Sequence, residues 1–178
     1  MFSICNMKFE EISVKELERI EKIYSSYEKT FPVDERRNRD QFTSLFSTKT
    51  VKVIAIVDNS EFCGYLFLWM LDKFTFLEHF EVFEEFRNKK LGSKILDKLK
   101  QDYSPIVLES EPSHESLIAE RRIGFYERNG FAIIDPSYIQ PSYEEGKNEL
   151  PLFLMSTLPD LDVKDAVQQI YSVVYKKG

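Results

Sequence analysis

Cysteine is scarce in this chain, with only two among its 178 residues. Cys5 and Cys63 lie far apart in the sequence, which therefore indicates neither a disulfide framework nor a cysteine-based zinc site. We expect a protein that uses no metal.

Long apolar runs are also missing. The longest, Phe62–Leu71, has ten residues, about half the number that a membrane-spanning helix needs. The first residues, Met1–Met7, lack the basic start and the sustained apolar stretch of a secretory signal. We expect a soluble, cytoplasmic protein with no membrane partner.

An excess of positive charge is the third absence. The chain has 24 basic and 30 acidic residues, for a formal net charge of −6. A nucleic-acid-binding domain is normally basic as a whole, so we expect no nucleic acid partner.

Aromatic residues, by contrast, are abundant. The chain has 15 Phe, 9 Tyr and 1 Trp, enough rings for a substantial core, which argues against intrinsic disorder. At this length we expect a single domain over residues 1–178.

Apolar periodicity predicts helices and strands in the first half of the chain. A helix should follow the capping box Ser13–Glu16 and end at Phe31-Pro32. Its apolar side chains recur at helical spacing: Val14, Leu17, Ile20, Ile23, Tyr24 and Tyr27. The next elements are a helical stretch over 34–46, a hairpin of strands over 51–57 and 62–69, and a strand over 74–82.

The second half continues the alternation. A helix should begin near Gly92, because Leu91, Ile95, Leu99 and Tyr103 recur every four residues. The remaining elements are a strand over 105–110, a helix over 115–129, strands over 131–134 and 152–158, and an amphipathic helix over about 160–176. Residues 135–148 form a long irregular connection.

The join between the third strand and its following helix is basic. Arg87, Lys89, Lys90 and Lys94 fall within eight residues, next to Gly92. Free amides at a helix N-terminus and the helix dipole both favour an anion there. The segment lacks the glycines of a P-loop or a dinucleotide fingerprint, and a solvated charged surface is the alternative interpretation.

Two segments resemble the GNAT superfamily of acyl-CoA-dependent N-acetyltransferases. Arg87-x-x-Lys90-x-Gly92, after a strand that ends at Val82, is similar to that family's Gln/Arg-x-x-Gly-x-Gly/Ala signature. The second segment, Ile123–Phe131, is similar to the family's Tyr-x-x-x-Gly-Phe helix ending.

Pro141-Ser-Tyr143 and Pro151–Met155 also resemble the closing part of some bacterial members. The resemblance therefore covers a core of about 7–158, with an added C-terminal helix at about 160–176. It implies the α/β GNAT fold, a mixed twisted sheet of about six or seven strands flanked by helices.

The resemblance also implies acetyl-CoA as co-substrate. The backbone of Val82 would bond the pantetheine chain, and the amides of Asn88–Ser93 would hold the pyrophosphate. The expected cofactor-binding residues are Val82, Arg87, Asn88, Lys89, Lys90, Leu91, Gly92 and Ser93. The chain departs from the family at Lys90, in place of a loop glycine, and at Ala119, in place of a frequent asparagine.

Direct attack by an amine requires a base, because an alkylammonium with a pKa near 10.4 is only about one part in 2,500 neutral at pH 7. Strand alternation puts Glu78 on the face of Val82 and His79 on the other face. In the GNAT family the face of this valine commonly looks into the acceptor site, so Glu78 is the first candidate for the base. The alternative is a salt-bridged strand carboxylate. Further candidates for the base are His79, if a bulge turns it, Glu109 and Glu111.

The resemblance places Tyr126 at the position of the family's general acid, with its hydroxyl near the cofactor sulfur. The alternative is an ordinary helix aromatic that packs on the sheet. The same resemblance puts segment 31–37 at the acceptor entrance, where a simple helix–helix connection is the alternative. The expected acceptor-site residues are Phe31, Pro32, Glu35 and Glu109.

We therefore expect an acyltransferase, monomeric or homodimeric, that moves an acetyl group from acetyl-CoA to a primary amine of a small molecule or a peptide. Two alternatives stay open. Lys90 and Ala119 suggest a non-catalytic CoA-binding or regulatory module. An RNA-binding protein would use the basic segment together with base stacking on Phe83 and Phe86.

Overall fold

The computed structural model describes residues 6–178, and the main feature of that part is a seven-stranded mixed sheet. The strands are β1 (Lys8–Glu11), β2 (Val51–Asp58), β3 (Glu61–Met70), β4 (Thr75–Val82), β5 (Ile106–Ser110), β6 (Ala132–Asp135), β7 (Ile139–Gln140), β8 (Leu150–Pro151) and β9 (Phe153–Ser156). Their order across the sheet is β1-β2-β3-β4-β5-β9-β6, while β7 and β8 pair with each other. The α/β fold class predicted from the sequence is confirmed.

Helices cover the sheet. They are α1 (Leu17–Thr30), α2 (Arg39–Leu45), α3 (Leu91–Tyr103), α4 (Leu117–Arg128) and α5 (Val163–Gln169). The central strands β2 and β3 are buried along nearly their whole length. Their continuous apolar sequences fit that position, because a strand covered on both faces has no polar side. No helix in residues 6–178 is both long enough and apolar enough to cross a membrane.

The N-terminal region differs from the prediction in two ways. The sequence pattern did not predict β1, which adds an edge strand beside β2. The first helix begins at Leu17 and not directly after Ser13, so Val14 and Leu17 are 55% and 66% exposed. Half of the expected capping box does form, since the Glu16 carboxylate accepts a hydrogen bond from the Ser13 amide at 2.9 Å.

The helical stretch expected over 34–46 is interrupted. It consists of a 3₁₀ turn at Val33–Glu35 and the separate helix α2, which Asn38 and Gln41 begin with a reciprocal capping box. The connection 135–148, expected to be irregular, contains β7. The amphipathic helix expected near the C-terminus is present as α5, which continues into a π-helical turn at Ile170–Val174.

The strands β4 and β5 form the parallel pair of the sheet, and they separate after a few residues. Their ladder joins Thr75–Leu77 to Ile106–Leu108, whereas β4 continues to Val82 and β5 to Ser110. The backbone edges beyond the ladder do not pair with each other, which opens a gap in the middle of the sheet. We call this opening the β4–β5 gap.

Candidate active site

A cavity of about 440 Å³ lies at the β4–β5 gap. Both separated strands line it, and the end of α1, the segment that follows α1, and α4 complete its walls. We call it the central cavity. Its lining includes Phe31, Pro32, Glu35, Glu78, His79, Glu109, Ser110, Glu111, Arg122 and Tyr126. The fold thus brings together all four residues that the sequence analysis expected at the acceptor site, although their role there remains a prediction.

A bulge in β4 changes the expected direction of its side chains. Phe67 pairs with His79 and Leu68 pairs with Leu77, so Glu78 is an extra residue on β4. Glu78 and His79 consequently face the same side of the sheet, and the hydroxyl of Tyr143 contacts both, at 3.0 and 3.3 Å. The simple alternation predicted from the sequence was therefore wrong for this strand.

The same bulge separates Glu78 from Val82. After it, Val82 pairs with Gly64 while Glu81 pairs with Tyr65, so Val82 faces the side opposite to Glu78 and His79. The argument that made Glu78 a candidate because it shares a face with Val82 does not hold. The presence of Glu78 in the central cavity depends on the bulge.

The carboxylate of Glu78 is fully occupied by protein donors. One oxygen accepts from Arg37 Nε at 2.9 Å and Arg37 Nη2 at 2.7 Å, and also from the Tyr143 hydroxyl. The other oxygen accepts from the indole N–H of Trp69 at 2.9 Å. Burial opposes ionisation, but Arg37 and these donors hold the pKa of Glu78 below its ordinary value. These contacts match the salt-bridged alternative, and the role of Glu78 as base stays a prediction.

His79 is buried against aromatic side chains. Its Nε2 lies 3.2 Å from the Tyr27 hydroxyl, and its ring packs against Phe31 and Phe67. Burial lowers the pKa of His79 to about 4, although Glu78 acts in the opposite direction. The imidazole is therefore neutral at pH 7 and a weak base.

Glu109 has a different environment from Glu78. It lies on β5, lines the central cavity and accepts hydrogen bonds from two tyrosine hydroxyls, Tyr138 at 2.5 Å and Tyr175 at 2.8 and 2.9 Å. Burial raises the pKa of Glu109 to about 8, with further contributions from Glu78 and Glu35, while the two hydroxyls lower it. The central cavity therefore contains a carboxyl group that gains and loses its proton near neutral pH.

Two further carboxylates line the central cavity. Burial raises the pKa of Glu35, and Glu111 raises it further, while Arg122 acts in the opposite direction. The Arg122 guanidinium lies 3.2 Å from the Glu111 carboxylate. Next to Glu111 on the chain, the buried hydroxyl of Ser110 has no hydrogen-bond partner among the described residues.

Tyr126 lies on α4 and lines the central cavity. Its ring packs between Phe125 and Phe131, with centroids 5.5 and 5.7 Å away. Its hydroxyl makes no hydrogen bond within residues 6–178, and burial raises the pKa of Tyr126. The ring is thus a core aromatic, as the alternative interpretation expected, while the hydroxyl remains free for a ligand.

The basic segment lines a second opening, of about 410 Å³, which we call the loop cleft. Its lining residues are Val82, Phe86, Arg87, Asn88, Lys90, Leu91 and Gly92. Helix α3 begins at Leu91 with no side chain capping its first turn. The first amides of the helix, which include those of Gly92 and Ser93, therefore lack side-chain acceptors and favour an anion.

Arg87 does not extend into the loop cleft as a free cation. Its Nε donates to the Val82 carbonyl at 2.9 Å, and its Nη2 donates to Glu81 at 3.3 Å. Glu81 is buried and also accepts from Ser26, Thr30 and Tyr65. The carbonyl expected to bond pantetheine is thus engaged by Arg87.

The loop before α3 has an unusual backbone. Asn88 and Lys90 have φ angles of 65° and 57°, in the left-handed region that glycine prefers. Lys90 therefore occupies a backbone conformation suited to the glycine of the family signature. Gly92 packs closely against α4, because a Cβ atom there would come within 2.9 Å of the Phe125 ring, which would have to move.

Several residues of the site were not found from the sequence. Arg37, Trp69, Tyr138, Tyr143 and Tyr175 reach Glu78 or Glu109 from positions between 9 and 66 residues away. Arg37 and Tyr143 lie in segments that the sequence analysis named, 31–37 and Pro141-Ser-Tyr143, but neither segment indicates a contact with these carboxylates. The other three residues lie in no motif, and only a tertiary contact selects them. By contrast, Phe83 and Phe86 are buried, so they do not offer the exposed rings that an RNA-binding role would require.

Comparison with known proteins supports the resemblance found in the sequence. The sequence profile of the Acetyltransferase (GNAT) domain matches residues 49–133. YjbC, a Bacillus subtilis protein assigned to the acetyltransferases, is 25% identical over 158 residues, which cover 85% of this chain and 80% of that protein.

Solved structures agree with this match. A Bacteroides thetaiotaomicron protein assigned to the GNAT family has a TM-score of 0.89 at 28% identity, over 96% of this chain and 99% of that one. An aminoglycoside 6′-N-acetyltransferase in complex with coenzyme A shares the fold, with a TM-score of 0.60 at 16% identity over 87% of this chain and 99% of that one. The profile match includes both segments that carry the sequence resemblance, so residues 49–133 match the GNAT acetyltransferase domain and the chain has the fold of GNAT structures.

Proposed function

We propose that this chain transfers the acetyl group of acetyl-CoA to a primary amine, and that the reaction takes place in the central cavity. The observation that carries the proposal is the position of this cavity in the β4–β5 gap, where Tyr126 of α4 meets carboxylates from two strands. A gap in the sheet lets a co-substrate on one side reach an acceptor on the other.

Acetyl-CoA would supply an activated acetyl thioester. The loop cleft suits its pyrophosphate because α3 begins with uncapped amides and because Lys90, which lines the cleft, adds positive charge. Coenzyme A is bound in the aminoglycoside acetyltransferase that shares this fold, which supports the assignment. The Arg87 Nε–H now donates to the Val82 carbonyl, and an amide of the pantetheine chain would take its place as the donor.

Tyr126 is the proposed general acid. Its hydroxyl has no protein partner among the described residues and lines the central cavity. It would donate its proton, or a hydrogen bond, to the thiolate that leaves. Glu78 remains the sequence-based candidate for the base, but Arg37, Tyr143 and Trp69 already occupy its carboxylate.

The experiment is an assay of thiol release from acetyl-CoA with a polyamine, an aminoglycoside and a peptide amine as acceptors. We expect acetylation of at least one. Tyr126→Phe should lower the maximal rate on the order of a hundredfold, the lower end for a general acid, because a thiolate is a fairly good leaving group. Its acetyl-CoA dissociation constant should change little, since the ring keeps its packing.

Tyr103→Phe is the matched control. Tyr103 ends α3 and does not line the central cavity, so this variant should retain the wild-type rate. If Tyr126→Phe has normal turnover, Tyr126 is not the general acid and its role is structural.

A non-catalytic CoA-binding module is the second candidate function. The observation that favours it is the engagement of the Val82 carbonyl by Arg87, together with Lys90 at the loop position where the family has glycine. Binding of acetyl-CoA by calorimetry, with no acetylation across the acceptor panel, would select this function.

A further inference from the structure

We infer that Glu109 is the base that accepts the proton of the acceptor ammonium, and that Tyr138 and Tyr175 are the positioning residues that hold its carboxyl group. This inference rests on the proposed function and assigns a step of it to a residue on β5.

The first argument is geometric. Glu109 is part of the lining of the central cavity, on the strand that borders the β4–β5 gap. Both of its hydrogen-bond donors are neutral hydroxyls, whereas Glu78 is held by a guanidinium. A carboxyl group with no cation partner among the described residues is available to an incoming ammonium, and a carboxylate paired with Arg37 is not.

The second argument concerns proton affinity. An ordinary glutamate, with a pKa near 4.3, lies about 6 below an alkylammonium near 10.4. Burial raises the pKa of Glu109 to about 8, which leaves a gap of about 2. A base is most effective when its pKa lies near the working pH, and among the carboxyl groups of the central cavity Glu109 meets this condition.

The surroundings of Glu109 are contributed by several elements. Titratable groups surround it from five segments: Glu78 on β4, Glu35 after α1, Tyr138 before β7, Tyr143 between β7 and β8, and Tyr175 near the C-terminus. Glu78 and Glu35 favour the protonated form of Glu109, and the donated hydroxyls of Tyr138 and Tyr175 favour the ionised form.

The proton balance is complete without a further reactant. The acceptor ammonium transfers one proton to the Glu109 carboxylate and becomes a neutral amine. Its nitrogen lone pair forms the C–N bond to the acetyl carbonyl carbon, the C–S bond breaks, and the sulfur takes the electron pair. The second nitrogen proton ends on the thiol, and Glu109 releases the first proton to water.

The test measures kcat/KM against pH, with the amine of the panel that the wild-type chain acetylates fastest. The wild-type profile should rise through an apparent pKa near 8. We call this rise of kcat/KM with pH the alkaline limb. In Glu109→Gln the limb should disappear, and kcat/KM at pH 7 should fall on the order of 10²- to 10⁴-fold. Acetyl-CoA binding by calorimetry should stay unchanged.

Tyr175→Phe provides a second variant that does not remove the carboxyl group. Because the Tyr175 hydroxyl lowers the pKa of Glu109, its loss should move the limb to higher pH. Tyr171→Phe is the matched control, since Tyr171 belongs to the same segment but donates to the Ile139 carbonyl. In Tyr171→Phe, kcat/KM should rise over the same pH range as in the wild type.

A carboxyl ¹³C resonance of labelled glutamate gives a readout that does not need turnover. One resonance should titrate near pH 8 in the wild type and be absent from Glu109→Gln. The assignment fails if Glu109→Gln retains the limb, if Glu78→Gln abolishes it, or if no such resonance exists. Failure of the proposed function is recognised separately, because the wild-type chain would then bind acetyl-CoA without acetylating any amine.

Discussion

At the scale of the residue, burial gives similar side chains different chemistry. Glu78, which is buried, and Glu109, which is half-buried, line one cavity. Arg37 keeps the first ionised, whereas the second has only hydroxyl donors and a raised pKa. Two carboxyl groups whose proton affinities are pushed apart in this way can serve different roles in one site.

This contrast predicts stability changes of opposite sign. Glu78→Gln leaves the buried Arg37 without a counter-charge, which should lower the free energy of unfolding by about 3 to 5 kcal/mol. Glu109→Gln removes a group that folding must keep protonated. Because its folded-state pKa is raised, stability is lost as pH rises from about 4.5 through 8. The free energy of unfolding of Glu109→Gln should therefore exceed that of the wild type by up to about 4 kcal/mol at pH 8.

Urea denaturation of both variants at pH 5 and pH 8 is the measurement. At pH 5, close to the unfolded-state pKa of 4.5, the protonation of Glu109 on folding costs little free energy, so the advantage of Glu109→Gln should fall to about 1 kcal/mol. Equal effects of the two substitutions at pH 8 would show that the charges of these carboxyl groups are not set as described.

His79 should make the protein sensitive to acid. Its pKa is lowered to about 4 in the folded state from 6.5, so its contribution to stability is complete above about 6.5 and is lost as pH falls toward 4. The loss should reach about 3 kcal/mol. His79→Gln should remove this part of the pH dependence, measured as the difference from wild type in denaturation curves.

His114→Gln is the control for that measurement, because His114 is exposed and does not line the central cavity. If the wild-type and His79→Gln curves run parallel between pH 6.5 and 4, His79 does not titrate with the fold.

At the scale of the element, the ends of helices and strands shape the site. The bulge in β4 turns Glu78 and His79 to one side, and the short ladder between β4 and β5 opens the sheet. The C-terminal segment also contributes: Tyr175 donates to Glu109, and the Val174 carbonyl accepts from Arg37 at 3.1 Å. The π-helical turn at Ile170–Val174 immediately precedes Tyr175. Such turns are frequent at functional sites.

The start of α3 carries the next prediction. Lys90 has a left-handed backbone, which costs an L-residue about 1 to 2 kcal/mol. Lys90→Gly should remove this cost but loses about 0.4 to 1 kcal/mol through the freer unfolded chain. The net result should be a gain of up to about 1 kcal/mol in the free energy of unfolding, measured by denaturation.

Lys90→Ala distinguishes the effect of the backbone conformation from the effect of the charge, because it removes the ammonium but keeps a side chain in the left-handed conformation. The free energy of unfolding of Lys90→Ala should not exceed that of the wild type. Weaker acetyl-CoA binding in both variants would assign the ammonium a role in holding phosphate. Equal stability of the Gly and Ala variants would contradict the backbone argument.

At the scale of the whole molecule, the candidate active site depends on segments from most of the chain. The central cavity draws residues from α1, β4, β5 and α4, and the C-terminal segment supports it from behind Glu109. A ligand that contacts so many elements should stabilise all of them together, because it binds the folded chain and not the unfolded one.

Acetyl-CoA should therefore raise the melting temperature. At a hundredfold excess over its dissociation constant the gain is about 2.7 kcal/mol, which corresponds to roughly 5 to 10 °C for a chain of this size. Thermal denaturation with and without acetyl-CoA is the measurement, with acetate as the control ligand. No shift at millimolar acetyl-CoA would exclude acetyl-CoA as the co-substrate.

The sequence by itself determined the order of most helices and strands, because apolar periodicity and turn residues are local signals. It also indicated the position of the basic segment before α3 and of Tyr126, since both lie within short motifs. The edge strand β1 escaped prediction because its four residues, Lys8–Glu11, contain two glutamates and one lysine and offer little apolar pattern.

Only the tertiary structure decided the chemistry of the central cavity. The bulge that turns His79 toward Glu78 depends on how β4 pairs with β3, and strand alternation alone predicts the opposite face. The proton affinities of Glu78 and Glu109 depend on Arg37 and Tyr175, which are 41 and 66 residues away along the chain. A pKa is set by burial and by the nearest charges and donors in space, and those neighbours exist only once the chain has folded.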